Sequence, residues 1–329
     1  MATDILTALR LRGPTQAGEL LKALGVSRPT LMRLVRSAGD HVVVRGSARR
    51  TTYAARRALR GSHAPLPLYR VDGQGDVTQV AQLDLTHPEG CAMEFLADFG
   101  WPLDDAMQAG WFDGLPYPLH DMRPQGFLGR RFARHHAEML QVPQDPASWS
   151  DDHALHAMSL LGSDLPGEFI VGESACRRWL DRIQDARLDQ GESAIADAEL
   201  AQAYAARAEA AMGQGVVGSS AGGEFPKFTA MRAFADEQVQ QVLVKFSGSD
   251  DSPGTRRWAD LLVCEHLAGQ VLPKQLGIAA ARSRIHRFGG RTYLEVDRFD
   301  RHGPLGRSGV VSWGALNGAL FGPAGVPWT

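Results

Sequence analysis

Residues 213–229 read GQGVVGSSAGGEFPKFT and residues 242–246 read VLVKF, and the relation between these two stretches decides the fold. Glycines at 213, 215, 218, 222 and 223 bracket Ser219 and Ser220, with Lys227 following. Such a loop lets backbone N–H groups approach phosphate oxygens, because glycine adds no side-chain bulk and accepts positive φ. It lacks the GK[ST] ending of a Walker loop, so its composition by itself fits a linker equally well. The strand that follows is apolar except for Lys245, in a chain whose only other lysines are Lys22, Lys227 and Lys274. A lysine inside a buried strand must be paired, and a phosphate together with a carboxylate would serve. Residues 255–271, TRRWADLLVCEHLAGQV, predict a helix carrying Asp260 and Glu265 as candidate partners, and helical phase alone does not choose between them. Strands over 281–287 and 292–296, joined by Gly289-Gly290, and the segment Asp297-Arg298-Phe299-Asp300-Arg301 complete the series. An Ala-rich helix over 193–211 leads into it.

At the other end of the chain, residues 1–62 predict a winged helix-turn-helix. Helices are expected from Asp4 to Leu11, from a Thr15 cap to Leu24, and from a Ser27 cap with Pro29 in its first turn. Gly25 stands where the second helix wants a left-handed stop. With Leu31, Leu34 and Val35 inward, the third helix leaves Arg28, Thr30, Arg33 and Arg36 outside. HVVVRGSARRTTYA then predicts a hairpin wing with Arg45, Arg49 and Arg50 at its tip. Residues 1–65 hold twelve basic and three acidic side chains, a balance of +9 inside a chain whose total is −2. That polarity suits contact with a polyanion, and DNA is the expected partner of this module.

The whole chain has 329 residues, 44 % apolar and 22 % charged, which excludes a disordered or collagen-like protein and suggests two or three domains. No apolar run is long enough to span a bilayer, and the three cysteines show no CxxC spacing, so a reducing cytoplasm is expected. Residues 64–68 read as a linker, Tyr69–Val71 and Val77–Leu85 as a hairpin, and 92–165 as mostly helical. The groups His135/His136/Glu138, Asp152/His153/His156 and His87/Glu89/Cys91 match no metal-ligand spacing, so no metal site is assigned.

Glycine loop, lysine strand, acid-bearing helix, two strands and a crossing segment is the order of the nucleotide-binding lobe of a protein kinase. SSAGGEFPKF, VLVKFSG, ADLLVCEHLA and YLEVDRFDR, with LPYPLHDMRPQGFLGRR at 115–131, resemble the HipA family of bacterial serine/threonine kinase toxins. The similarity is to the subgroup with a fused winged helix-turn-helix, and it covers nearly the whole chain, with one extra residue around Phe225-Pro226. The resemblance implies ATP with Mg²⁺ as cofactors and transfer of the γ-phosphate to a protein hydroxyl. It implies autophosphorylation at Ser219, with Ser220 as neighbour. It also implies ATP contacts at Ala221, Gly222, Gly223, Glu224, Lys227 and Lys245, and at hinge residues Asp297, Arg298 and Phe299. Family targets include aminoacyl-tRNA synthetases, which makes such a protein an expected substrate.

Kinase chemistry also needs an aspartate near the attacking hydroxyl, then an asparagine and a second aspartate for the metal. From His302 onward the sequence has no acidic residue, and Asn317 is its only asparagine. The catalytic base and both metal ligands are therefore expected beyond Thr329, with no catalytic residue among the 329 given. The chain is expected to be a truncated kinase without transfer activity, and its apolar terminus, LFGPAGVPWT, to favour association into a homodimer. The expected fold class is α+β: winged helix at 1–62, a HipA-like N-terminal subdomain at 66–212, and a kinase-like N-lobe with the start of a C-lobe at 213–329. The expected location is the cytoplasm, at the nucleoid when DNA is bound. The rival from a different class is a non-catalytic transcriptional regulator whose second domain senses a ligand or partner.

Overall fold

A computed structural model describes residues 4–46, 50–188, 193–213, 225–234 and 238–322. Its first module comprises α1 (Ile5–Arg12), β1 (Thr15–Gln16), α2 (Ala17–Leu24), α3 (Arg28–Ala38), β2 (Val42–Arg45) and β3 (Thr52–Ala55). Apolar side chains recur at helical spacing, so Ile5, Leu9, Leu20 and Leu31 meet under the strands with Val42 and Tyr53. The three strands run antiparallel in the order β1-β3-β2. Thr15 is not a helix cap: it pairs with Tyr53 in β1, its hydroxyl donates to the Gly13 carbonyl at 2.9 Å, and Gln16 takes the cap position. Gly25 does end α2 at φ 63°, the left-handed conformation that a side chain would resist.

The central part is a five-stranded antiparallel sheet covered by helices. Its elements are β4 (Leu66–Val71), β5 (Val77–Leu85), β6 (Cys91–Phe95), α4 (Asp105–Gln108), β7 (Trp111–Phe112), α5 (Gly126–Leu140), α6 (Asp151–Leu161), β8 (Phe169–Val171) and α7 (Glu173–Arg187). The strand order is β7-β6-β5-β4-β8. Two expectations change here. The Pro-containing stretch read as linker runs into β4, an edge-compatible position for Pro67 next to the short β8, and the stretch 92–165 contributes β6 and β7 as well as helices. His153 closes a capping box with Ser150 at the start of α6, which gives that histidine a structural role.

The last part begins with α8 (Leu200–Met212), which starts later than its Ala-rich sequence predicts because Ile195 pairs alongside Arg232 as an extra sheet partner. There follow β9 (Lys227–Ala233), β10 (Val239–Phe246), α9 (Pro253–Leu276), β11 (Ser283–Phe288), β12 (Arg291–Asp297), β13 (Arg301–His302), β14 (Gly306–Arg307) and α10 (Trp313–Leu320). The sheet order is β11-β12-β10-β9, all antiparallel. Side chains alternate across β10, so Val242, Val244 and Phe246 face α8 and the core with Phe228, Ala230 and Tyr293. Leu243 and Lys245 face the other way, with Lys245 toward α9. Ser252 caps α9, accepting from the Thr255 amide at 3.2 Å, and the helix runs through Pro273 to a left-handed Gly277, a turn longer than predicted.

The β13–β14 hairpin docks on the β4–β5 turn, where the Arg307 amide donates to the Asp72 carbonyl at 2.8 Å. A Cβ at Gly306 would lie 2.1 Å from the Gly73 carbonyl oxygen, so glycine is what permits this backbone approach. The SWGALNGAL segment is helical as α10 but buries none of its residues, so it is not the core helix its composition suggests.

Candidate functional site

The cleft face of β10 brings together a cation and an apolar hollow. Lys245 Nζ lies 2.5 Å from Glu265 Oε1 on α9, with the lysine side chain 20 % exposed. The lysine is therefore not sealed inside the sheet, as its strand context suggests; it stands on the open face, and Glu265 is its partner. Asp260 is exposed and on another side of α9, since five helical residues turn it by about 140°. Lys227 stands directly opposite Lys245 in the β9–β10 register and is buried on the same face. Two residues before Lys245, a spacing of about 7 Å along a strand, Leu243 borders a cavity of about 450 Å³. Ala281 and Val296 give it further apolar lining, Phe299 flanks it, and Asp121 and Gln125 reach it from the central domain.

The three crossing-segment residues contribute unequally. Asp297 binds Arg284 at 2.6 Å, and its amide donates to the Arg282 carbonyl. Arg298 is buried in a two-bond pair with Asp300, at 3.0 and 2.8 Å, and its amide donates to the Gln241 carbonyl. Phe299 keeps both its exposed ring and, among the described residues, an amide with no acceptor. Of the predicted hinge contacts, then, the side chains of Asp297 and Arg298 are committed elsewhere, and Phe299 is the one left open to a ligand.

What fixes this face is a set of charges behind and beside it. Glu295, fully buried on the core side of β12, accepts from Tyr204 at 2.5 Å and from Arg232 at 3.0 Å, while Arg284 lies 3.0 Å from its other oxygen. Burial alone would raise this carboxyl; His286, the Tyr204 hydroxyl and Arg232 more than offset that and hold it at about 2. Arg232 also donates to Asp197 and to the Ile195 carbonyl, both at 2.5 Å, tying the segment before α8 to the sheet. Beyond the crossing segment, Arg301 donates to Asp300, to the Leu165 carbonyl at 2.7 Å and to Asp164 at 3.2 Å. Arg307 lies over the Trp179 ring, 4.1 Å from its centroid. Much of YLEVDRFDR thus anchors the lobe to the central domain. The signal for this was present in the sequence: Glu295 interrupts an apolar strand while MRA and SRIHRF supply Arg232, Arg284 and His286.

Of the predicted loop residues, Ser219, Ser220, Ala221, Gly222, Gly223 and Glu224 lie outside the described residues, as does Arg49. Thr329, the position past which the catalytic base and metal ligands are expected, also lies outside them, together with the rest of the apolar terminus from Pro323 onward. In the first module Arg28, Arg33, Arg36 and Arg50 are exposed, whereas Thr30 shares a 3.1 Å hydrogen bond with Ser27. Arg45 does not point from the wing to solvent: it donates to Asp84 at 2.9 Å and to the Met93 carbonyl at 3.2 Å. Arg56 shares Asp84 at 3.0 Å, and Arg57 and Arg60 reach Asp152 and the Leu140–Gln141 carbonyls. Four of the twelve basic residues therefore hold this module to the central domain instead of forming its outer charge. No helix among the described residues is long and apolar enough to cross a membrane.

Comparison with known proteins finds matches over most of the chain. Residues 62–180 match the YjjJ-like toxin middle domain, and residues 219–321 match the HipA-like C-terminal domain. The chain is 36 % identical over 321 residues to the toxin YjjJ of Escherichia coli (strain K12), an alignment that covers 97 % of the chain and 68 % of that protein.

Proposed function

The chain belongs to the HipA-like toxin family, with the YjjJ toxin as a relative, and on that premise we propose that it is the nucleotide- and DNA-binding part of a protein serine/threonine kinase. The observation that carries this is the Lys245–Glu265 pair on the same strand face as the apolar cavity. A flat base fits a hollow lined by Leu243, Ala281 and Val296, the free Phe299 amide can donate to it, and Lys245 is placed for the phosphates of ATP. When bound, ATP with Mg²⁺ supplies the transferable phosphoryl group; the chain's own residues orient it and exclude water from the base. The protein hydroxyl that accepts the phosphate, including Ser219 in an autophosphorylation, is part of the same proposal. The readout that tests the nucleotide reading is binding.

Calorimetric titration of the chain with Mg·ATP tests it. Saturable one-to-one binding is expected, and heats no larger than those of dilution would sink it.

We further propose that α1–α3 and the β2–β3 hairpin form a winged helix that meets DNA through Arg28, Arg33 and Arg36. Duplex binding measured across salt should then weaken steeply, with a slope of about −0.9 per phosphate contacted. Arg33→Ala should make that slope about one contact shallower, while Arg45→Ala should leave it unchanged, because the Arg45 charge is already matched by Asp84. A flat salt response would leave the basic face as merely solvated.

A further inference from the structure

The sequence LPYPLHDMRPQGFLGRR, which belongs to the central domain, has an unassigned role, and the cavity beside Phe299 supplies one. We infer that Gln125 selects the nucleobase, favouring adenine over guanine; this rests on the nucleotide reading of the cavity given above. Gln125 stands at the start of α5, exposed, and borders the same cavity as Leu243 and Val296. Its side-chain amide makes no hydrogen bond with any described residue, which leaves both its donor and its acceptor unclaimed at the border of the hollow. The segment that carries it is held firmly. Asp121, four residues earlier, accepts from the amide of Ser312, another residue lining the cavity, and Arg123 donates to Asp151 at 2.5 Å and to the Trp149 carbonyl at 2.9 Å.

A carboxamide presents one donor and one acceptor side by side. Adenine offers the matching pair, the N7 acceptor and the N6 amino donor, whereas guanine offers two acceptors, N7 and O6, at the same edge. With guanine the amide oxygen of Gln125 would face another oxygen, leaving a desolvated acceptor without a partner. Polar selectivity at the base would thus come from the central domain, while the lobe supplies the apolar walls and the phosphate grip.

The test is calorimetric titration of the full chain with Mg·ATP and Mg·GTP, for the wild type, Gln125→Ala, Gln125→Glu and Lys245→Ala. The wild type should prefer ATP by about tenfold or more. Gln125→Ala should weaken ATP by a similar factor and bring the two affinities within about twofold, with an unchanged melting curve, since the side chain holds nothing else. Gln125→Glu keeps the acceptor for N6 and loses the donor for N7, so it should retain part of the ATP preference. Lys245→Ala should weaken both nucleotides alike. Should ATP bind in a Lys245-dependent manner while Gln125→Ala leaves the ATP:GTP ratio as in the wild type, the inference about Gln125 is overturned and the nucleotide reading survives. Absence of binding to either nucleotide by the wild type overturns both.

Discussion

Glu295→Gln is expected to destabilise the lobe by roughly 3–5 kcal/mol, the usual cost of removing one partner from a buried ion pair. The carboxylate is fully buried and is shared by Arg232, Arg284 and Tyr204. Arg232 is itself buried, and its other acidic partner, Asp197, is largely exposed, so loss of the Glu295 charge leaves a guanidinium sealed in the sheet against a weak counter-charge. Glu295→Leu combined with Arg232→Met should recover part of the loss, because the guanidinium is no longer sealed in unpaired and Arg284 keeps Asp297, while the buried Tyr204 hydroxyl still loses its acceptor. Acid titration provides the second readout. A carboxylate held at about 2 contributes stability that is complete above its unfolded value near 4.5 and fades as pH falls toward 2. Asp300 and Asp164 are also held low by neighbouring arginines despite their burial, so their contributions fade in acid as well. The wild-type lobe should therefore loosen between about pH 4.5 and 2, and Glu295→Gln should show a shallower acid response from a lower starting point. Hydrogen exchange at the β10 and β12 amides isolates the lobe from the rest of the chain. Wild-type protection of those amides in the variant would show that the cluster is dispensable.

The same cluster shows where sequence reading stops. Periodicity located β10, α9, β11 and β12, because alternation and helical spacing are local properties that survive without knowledge of neighbours. It could not tell which way Lys245 pointed. A strand that reads apolar on paper has two faces, and here one of them packs on α8 while the other carries Leu243 and Lys245 into the cleft. Nor could it choose Glu265 over Asp260, since that depends on how α9 is laid across the sheet, a tertiary fact. YLEVDRFDR was legible as a family signature, yet most of its charges hold domains together: Arg298, Asp300 and Arg301 work in a network with Asp164 and the Leu165 carbonyl, more than 130 residues away in sequence. Charge counting overstated the basic face of the first module for the same reason. Arg45, Arg56, Arg57 and Arg60 look like their exposed neighbours in sequence and differ only in what the fold places opposite them.

Lys245→Ala is expected to lower Mg·ATP affinity by roughly 10- to 100-fold, the worth of one charge-assisted hydrogen bond to phosphate, about 1.5–3 kcal/mol. The substitution removes the ammonium that Glu265 positions on the cleft face, and it leaves the apolar hollow around Leu243 intact. Stability should change little, because the lysine side chain is partly exposed and its partner Glu265 stays solvated once released. Glu265→Gln should cost less affinity than Lys245→Ala: the ammonium remains, but it loses the group that holds it over the cleft. Asp260→Asn should match the wild type, since that carboxylate lies off the cleft. Adenosine, which has the base and no phosphates, separates the two halves of the site. Its affinity should be indifferent to Lys245→Ala and sensitive to Leu243→Asp, which places a charge in the apolar hollow. If Lys245→Ala bound Mg·ATP as tightly as the wild type, the phosphates would have to be gripped elsewhere, and the proposed nucleotide site on the cleft face of β10 would fall.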